Sequence, residues 1–165
     1  MKTNAYRIIW ADDEIDSLLD THTINELSSN SILVVGKAHN GEELEKVIDE
    51  LTSKAFDAVI VDANYNVRKS NVESERDITG LEHAMSIYEH KLNKSIPFFL
   101  FTNRTDELLR EKFEYNPRFN EIFPRYTRWF NKSGEEEFED MLKAIKEEIE
   151  LRKSPSFIVT NLYQE

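Results

Sequence analysis

Five short apolar runs, four of them followed by a clear helical signal and one by a weaker one, constrain this chain more than any other feature. Tyr6 to Ala11 is a β-branched and aromatic run, after which Ile15, Leu18, Leu19 and Leu27 mark one face of a helix. Ile32 to Val35 is the second run. Asn40 and Gly41 then break the chain, and Leu44, Val47, Ile48 and Leu51 repeat at helical spacing. Ala58 to Val61 is the third run and stops at Asp62. After a polar stretch from Ala63 to Asp77, a helix is predicted from about Thr79 to Lys91, with Leu81, Ala84, Met85, Tyr88 and Leu92 as its stripe. Ile96 to Phe101 is the fourth strand, with Pro97 near its start, where a proline is tolerated. Asp106 to Tyr115 reads as a helix and Tyr126 to Asn131 as the fifth strand. Ser133 is expected to cap the last helix, because Glu135 to Glu137 put acids in its first turn. Phe138, Met141, Leu142, Ile145 and Ile149 give that helix its apolar face.

Strands that are continuous apolar runs, alternating with helices, imply a doubly wound α/β sandwich: a five-stranded parallel sheet covered on both faces. In such folds ligands bind outside the carboxyl ends of the strands. Composition narrows the chemistry. A net charge of −11 argues against nonspecific binding to nucleic acid or anionic membranes, where phosphates must be neutralised by Lys and Arg. The absence of cysteine excludes disulfides, thiolate zinc sites and a cysteine nucleophile. Only four glycines are present and none forms a Gly-rich loop, so a P-loop or dinucleotide fingerprint is absent. The amino terminus shows no signal-peptide pattern and no apolar run approaches membrane-spanning length, so the chain is expected to be cytoplasmic.

The residues at the strand ends are Asp12 and Asp13 after the first strand, Asp62 after the third, Thr102 after the fourth and Lys132 after the fifth. Three carboxylates, a hydroxyl and an ammonium would then converge in one shallow cleft. Clustered carboxylates repel, and a hard divalent cation such as Mg²⁺, which prefers oxygen ligands, relieves that repulsion. A lone Asp pair after a strand is commonly a helix cap; the ordered set of five favours the cleft.

That ordered set resembles the signature of response-regulator receiver domains of two-component systems, and the resemblance covers about residues 5 to 152. The stretches Ile-Ile-Trp-Ala-Asp-Asp-Glu, Phe-Asp-Ala-Val-Ile-Val-Asp and Asn-Gly-Glu-Glu are similar to that family as well. The resemblance implies a (βα)5 flavodoxin-like fold with strand order 2-1-3-4-5. It implies that Asp62 is the phosphoacceptor, attacking a phosphohistidine on a sensor histidine kinase or phosphotransfer protein to form an aspartyl phosphate. Mg²⁺ would be held by Asp12, Asp13, Asp62 and the backbone carbonyl of Asn64. Lys132 would pair with Asp62 and then with a phosphoryl oxygen, and the Thr102 hydroxyl would hydrogen-bond the phosphoryl group. Trp129, three residues before Lys132, would fill the space vacated by Thr102 and rearrange a partner-binding face, passing the signal to a downstream output domain or protein. Such a chain catalyses its own phosphorylation and dephosphorylation and is not a turnover enzyme on external substrates. No direct nucleic-acid or membrane contact is implied.

Four features depart from that pattern. From Asp62 to Gly80, the glycine matching the family's loop before helix three, the chain runs 18 residues, a long polar connection that is either a flap over the site or a tolerated insertion. Ser133 stands where the family usually has a proline, so the Lys132–Ser133 bond is either trans or a strained cis bond. From Thr102 to Lys132 the chain runs 30 residues, and this stretch interleaves Arg118, Arg125 and Arg128 with aromatics, as a partner-docking surface or as core with solvated arginines. Asn103 occupies a position where many receivers carry a smaller residue, which predicts restricted access for attacking water and slow self-dephosphorylation.

Two other functions compete on sequence grounds. One is a receiver-like interaction module that acts without phosphorylation; the other is a Mg²⁺-dependent phosphohydrolase, which would need a substrate pocket and multiple turnover. The domain is assigned to residues 1–152. Residues 153–165 form a carboxyl-terminal tail with a Ser-Pro breaker and several apolar residues, which either packs back or leads into a linker or output domain.

Overall fold

The structure, a computed structural model, describes residues 5–51, 55–62, 83, 86–87, 96–103, 111, 114, 130–132 and 134–153. In chain order the elements are β1 (Tyr6–Ala11), α1 (Ile15–Leu18), α2 (Thr21–Ser29), β2 (Ile32–Ala38), α3 (Gly41–Glu50), β3 (Ala58–Val61), β4 (Phe98–Thr102), β5 (Phe130–Asn131) and α4 (Glu135–Arg152). Within the two helices predicted between β3 and β5, His83, Ser86, Ile87, Glu111 and Glu114 are helical. The remainder of those helices, the polar stretch after Asp62, the predicted start of the fifth strand and the tail beyond Lys153 lie outside the described residues.

The strands form one five-stranded sheet in the order β2-β1-β3-β4-β5, with every pairing parallel. This is the expected topology, and the burial pattern shows why the sequence encodes it. Ile8 to Ala11, all of β3 and all of β4 are buried, as strands covered on both faces must be. Successive side chains alternate between faces. Ile9 shares its face with Gly36 and, beyond it, Val47 of α3. Trp10 lies on the opposite face, edge-to-face with Phe101 at 5.9 Å between centroids, and Phe101 meets Phe138 of α4 at 5.8 Å. Burying each large apolar side chain of this kind contributes about 1.5–3 kcal/mol. Trp10 is fully buried, yet its indole N–H finds no acceptor among the described residues; an unmade bond of this kind costs about 1–3 kcal/mol.

Side-chain caps mark the start of two of the four described helices, α2 and α3. Asn40 caps α3: its Oδ1 accepts the Glu43 amide at 3.0 Å, and its Nδ2 donates to Glu43 Oε2 at 3.1 Å. Leu44 and Ile48 of α3, and Met141, Leu142, Ile145 and Ile149 of α4, are buried as their spacing predicts. A turn links α2 to β2 through Ser31, whose φ of 60° is left-handed and whose carbonyl accepts the Tyr6 amide at 2.8 Å.

Two local expectations change. The single first helix is in fact two, because the Asp20 carboxylate accepts the Thr23 amide at 2.8 Å and starts a new helix there. Asp, Thr and Ser favour caps over helix interiors, since their side chains compete for backbone groups. The cap residue of α4 is Gly134, with no side-chain cap bond, so the role expected of Ser133 is not the observed one.

Candidate functional site

Backbone hydrogen bonds carry the sheet one residue past the ends of β1 and β3. The Asp12 amide donates to Ala38 O at 2.9 Å, and the Asp62 amide donates to Ala11 O at 3.1 Å. At the other side of the sheet, the Lys132 amide donates to Thr102 O at 3.1 Å. These bonds hold the ends of all five strands at the same edge, so side chains from distant parts of the sequence meet there.

Asp12 and Thr102 are fully buried and Asp62 nearly so. The Thr102 hydroxyl donates to Asp62 Oδ1 at 2.7 Å, and Lys132 Nζ donates to Asp62 Oδ2 at 2.9 Å. The same ammonium lies 2.5 Å from Asp12 Oδ2 as an ion pair. Asp12 Oδ1 accepts the Glu14 amide at 2.8 Å, which orients the carboxylate at the start of α1. Of the expected site residues, Asp12, Asp13, Asp62, Thr102 and Lys132 are brought together. Asn103 is exposed next to Thr102. Asn64, Trp129 and the Lys132–Ser133 bond lie outside the described residues.

The electrostatics are strained in one direction. Burial, followed by the charge of Asp62, pushes the Asp12 carboxyl up to about 7, with Lys132 pulling the other way. For Lys132, burial lowers the pKa, but the charges of Asp62 and Asp12 outweigh it and hold the ammonium above its ordinary value. Three carboxylates and one ammonium leave a formal charge of −2. Like charges about 4 Å apart repel by about 4 kcal/mol at an effective dielectric near 20.

A divalent cation would bring that charge to zero, and the donor set fits one. Asp12, Asp13 and Asp62 each offer a carboxylate oxygen, all within 4.8 Å of one another. Asp12 Oδ2 is buried and faces the Lys132 ammonium, and a carboxylate oxygen so paired still has a second lone pair for a metal. Three hard oxygen donors with one exposed ligand, Asp13, suit an ion that retains water, as Mg²⁺ does.

Sequence reasoning missed one cluster at the rim. His39, just after β2, places Nε2 at 2.6 Å from Asp16 Oδ2 and Nδ1 at 3.0 Å from Glu43 Oε1. The hydrogen bonds to Asp16 and then Glu43 raise its pKa above the ordinary value. The i,i+4 spacing of His39 and Glu43 was legible; the partner Asp16, 23 residues away, was not.

No family model and no curated protein matches the sequence. Solved structures do match. A LuxR-family two-component response regulator from Aurantimonas sp. SI85-9A1 aligns at TM-score 0.61 and 16% identity, over 94% of either chain. RcsB from Salmonella enterica serovar Typhimurium, solved bound to promoter rprA with the phosphomimetic BeF3-, aligns at 0.58 and 17%, covering 86% of this chain and 98% of its own. The chemotaxis protein CheY4 of Vibrio cholerae aligns at 0.57 and 17%, over 86% of this chain and 99% of its own. With its five parallel strands in the same 2-1-3-4-5 order, this chain has the receiver fold of two-component response regulators.

Proposed function

We propose that this chain is a phosphoacceptor receiver that takes a phosphoryl group from the phosphohistidine of a sensor kinase or phosphotransfer protein onto Asp62. The observation that carries this reading is the convergence of Asp12, Asp62, Thr102 and Lys132 on one buried point at the sheet edge, with Asp13 at its rim. A carboxylate held by one hydroxyl and one ammonium is fixed in orientation, and phosphoryl transfer depends mainly on positioning and charge neutralisation.

In the transfer, an Asp62 carboxylate oxygen forms the new bond to phosphorus as the bond to the partner's imidazole nitrogen breaks, and that nitrogen keeps the electron pair. Lys132, now bonded to Asp62 Oδ2, follows the developing charge onto a phosphoryl oxygen. The Thr102 hydroxyl moves from donating to Asp62 Oδ1 to donating to another phosphoryl oxygen. Asp12, Asp13 and Asp62, with the Asn64 carbonyl, would hold Mg²⁺, which would supply neutralisation of the carboxylates and of the incoming phosphoryl group. Trp129 reads out the movement of Thr102 and remodels a partner-binding face that passes the signal to an output domain or protein. The product is a stoichiometric aspartyl phosphate, which the chain itself hydrolyses with water.

The test is tryptophan fluorescence on adding Mg²⁺ and then beryllofluoride, a phosphoryl mimic, together with labelling by a small phosphodonor. A Mg²⁺-dependent change and stoichiometric label, both lost in Asp62→Ala, are expected. Wild-type protein that takes no label in saturating Mg²⁺ would overturn the reading in favour of a module that works without phosphorylation.

A further inference from the structure

The three carboxylates of the cluster are not held alike. Asp12 accepts the Glu14 amide at 2.8 Å and pairs with Lys132, and Asp62 is gripped by Thr102 and Lys132. The Asp13 carboxylate, the exposed member, has no hydrogen-bond donor or cation on it among the described residues. Its place is therefore set by its backbone, in the turn that runs from Asp12 into α1.

That turn has little stability of its own. α1 is four residues long, where an isolated helix needs roughly 12–15 residues to persist in water, and a new helix starts at Asp20. The Ile15 amide closes the turn on Asp12 O at 3.2 Å, and the buried Ile15 side chain anchors it inward. Its outward anchor is His39. One ring nitrogen, Nε2, lies 2.6 Å from Asp16 Oδ2 of α1, and the other, Nδ1, lies 3.0 Å from Glu43 Oε1 of α3. A carboxylate only accepts, so both nitrogens carry protons and the ring is an imidazolium. Glu43 is itself fixed: its Oε2 accepts the His39 amide at 3.3 Å and Asn40 Nδ2 at 3.1 Å, and its amide donates to Asn40 Oδ1 at 3.0 Å. Lys37 Nζ, at 3.8 Å, is a second cation beside Asp16. The imidazolium thus clamps α1 onto the capped start of α3.

We propose that His39 is a positioning residue for the metal site: by joining Asp16 to Glu43 it holds in place the turn that presents Asp13 to the cation. This inference rests on the Mg²⁺ site of the receiver reading and adds to it a residue outside the strand-end groups. Charge alone would act in the opposite sense. An imidazolium repels a nearby cation, so its removal would tighten Mg²⁺ binding, whereas the loss of a brace weakens it.

The experiment follows ¹H–¹⁵N spectra of the full chain as wild type, His39→Ala and His39→Arg, at about pH 6.5, the ordinary histidine value. Amide exchange with solvent is measured first without metal, and Mg²⁺ is then titrated at constant ionic strength. In His39→Ala, exchange at residues 13–18 should quicken about threefold to tenfold while the β3 and β4 amides are unchanged. The Mg²⁺ dissociation constant should rise about threefold to tenfold, at or below the low end for outer partners of a metal site. His39→Arg, whose guanidinium fork can span both carboxylates, should restore both quantities. Unchanged exchange at 13–18, unchanged or tighter Mg²⁺ binding in His39→Ala, or an arginine variant no better than alanine would each overturn the proposal. A wild type that binds no Mg²⁺ would instead overturn the receiver reading and the metal role with it, and the metal-free exchange would still decide whether His39 clamps the turn.

Discussion

Lys132 carries an unusual share of the electrostatics, since one ammonium faces two buried carboxylates at 2.5 and 2.9 Å. Removing one partner from a buried ion pair leaves an uncompensated charge. Lys132→Met should therefore lower stability by about 3 kcal/mol in urea unfolding. Saturating Mg²⁺ should restore more stability to the variant than it adds to the wild type. A loss below about 1 kcal/mol would mean that the carboxylates already relieve their repulsion by binding a proton. Asn103 acts at the same scale but on access instead of charge: it is exposed directly beside the buried Thr102. Asn103→Ala should shorten the aspartyl-phosphate half-life by about threefold to tenfold, or up to about 1.4 kcal/mol of barrier. An unchanged half-life would show that this side chain does not screen the phosphoryl group from water.

Between elements, close approach decides more than sequence preference does. Gly36 sits in β2 next to a register shift against β1, where Ile8 pairs with Val34 but Ile9 pairs with Gly36. A Cβ at this position would stand 2.5 Å from Val47 Cγ1 and 3.3 Å from Ile9 Cγ1, so α3 approaches the sheet where only glycine leaves room. Gly36→Ala should destabilise by about 1–3 kcal/mol. Trimming the opposing side chain in Gly36→Ala/Val47→Ala should make the double variant less unstable than the sum of the two single changes. Strict additivity would place the strain elsewhere. The His39 bridge also joins elements, tying α1 through Asp16 to α3 through Glu43.

For the molecule as a whole, that bridge adds a pH dependence. The pKa of His39 is raised in the folded state, so its contribution is complete below the ordinary histidine value and is lost as pH rises through the raised one. The pKa of Asp16 is lowered, chiefly by the hydrogen bond with His39, so its contribution is present above the ordinary aspartate value and is lost as pH falls through the lowered one. Between these limits the bridge is fully formed. Melting temperature should fall more steeply between about pH 6 and 8 in the wild type than in His39→Asn, and parallel curves would remove the bridge from the account. Mg²⁺ should raise the melting temperature of a chain with net charge −11, and Asp13→Ala should remove most of that gain. An equal gain in Asp13→Ala would assign the effect to general screening.

Strand runs such as Ala58 to Val61 and the stripe of Met141, Leu142, Ile145 and Ile149 were legible from sequence, because burial on both sheet faces or along one helix face imposes a local period. The rule that ligands gather beyond the carboxyl ends of parallel strands then singled out Asp12, Asp13, Asp62, Thr102 and Lys132 before any distance was known. What depended on tertiary structure was everything that two distant segments settle together. The break at Asp20, the pairing of His39 with Asp16, the tight approach of Val47 to Gly36 and the edge-to-face contact of Trp10 with Phe101 leave no periodic trace. Periodicity records which way a side chain faces, and only the packed chain records what it meets there.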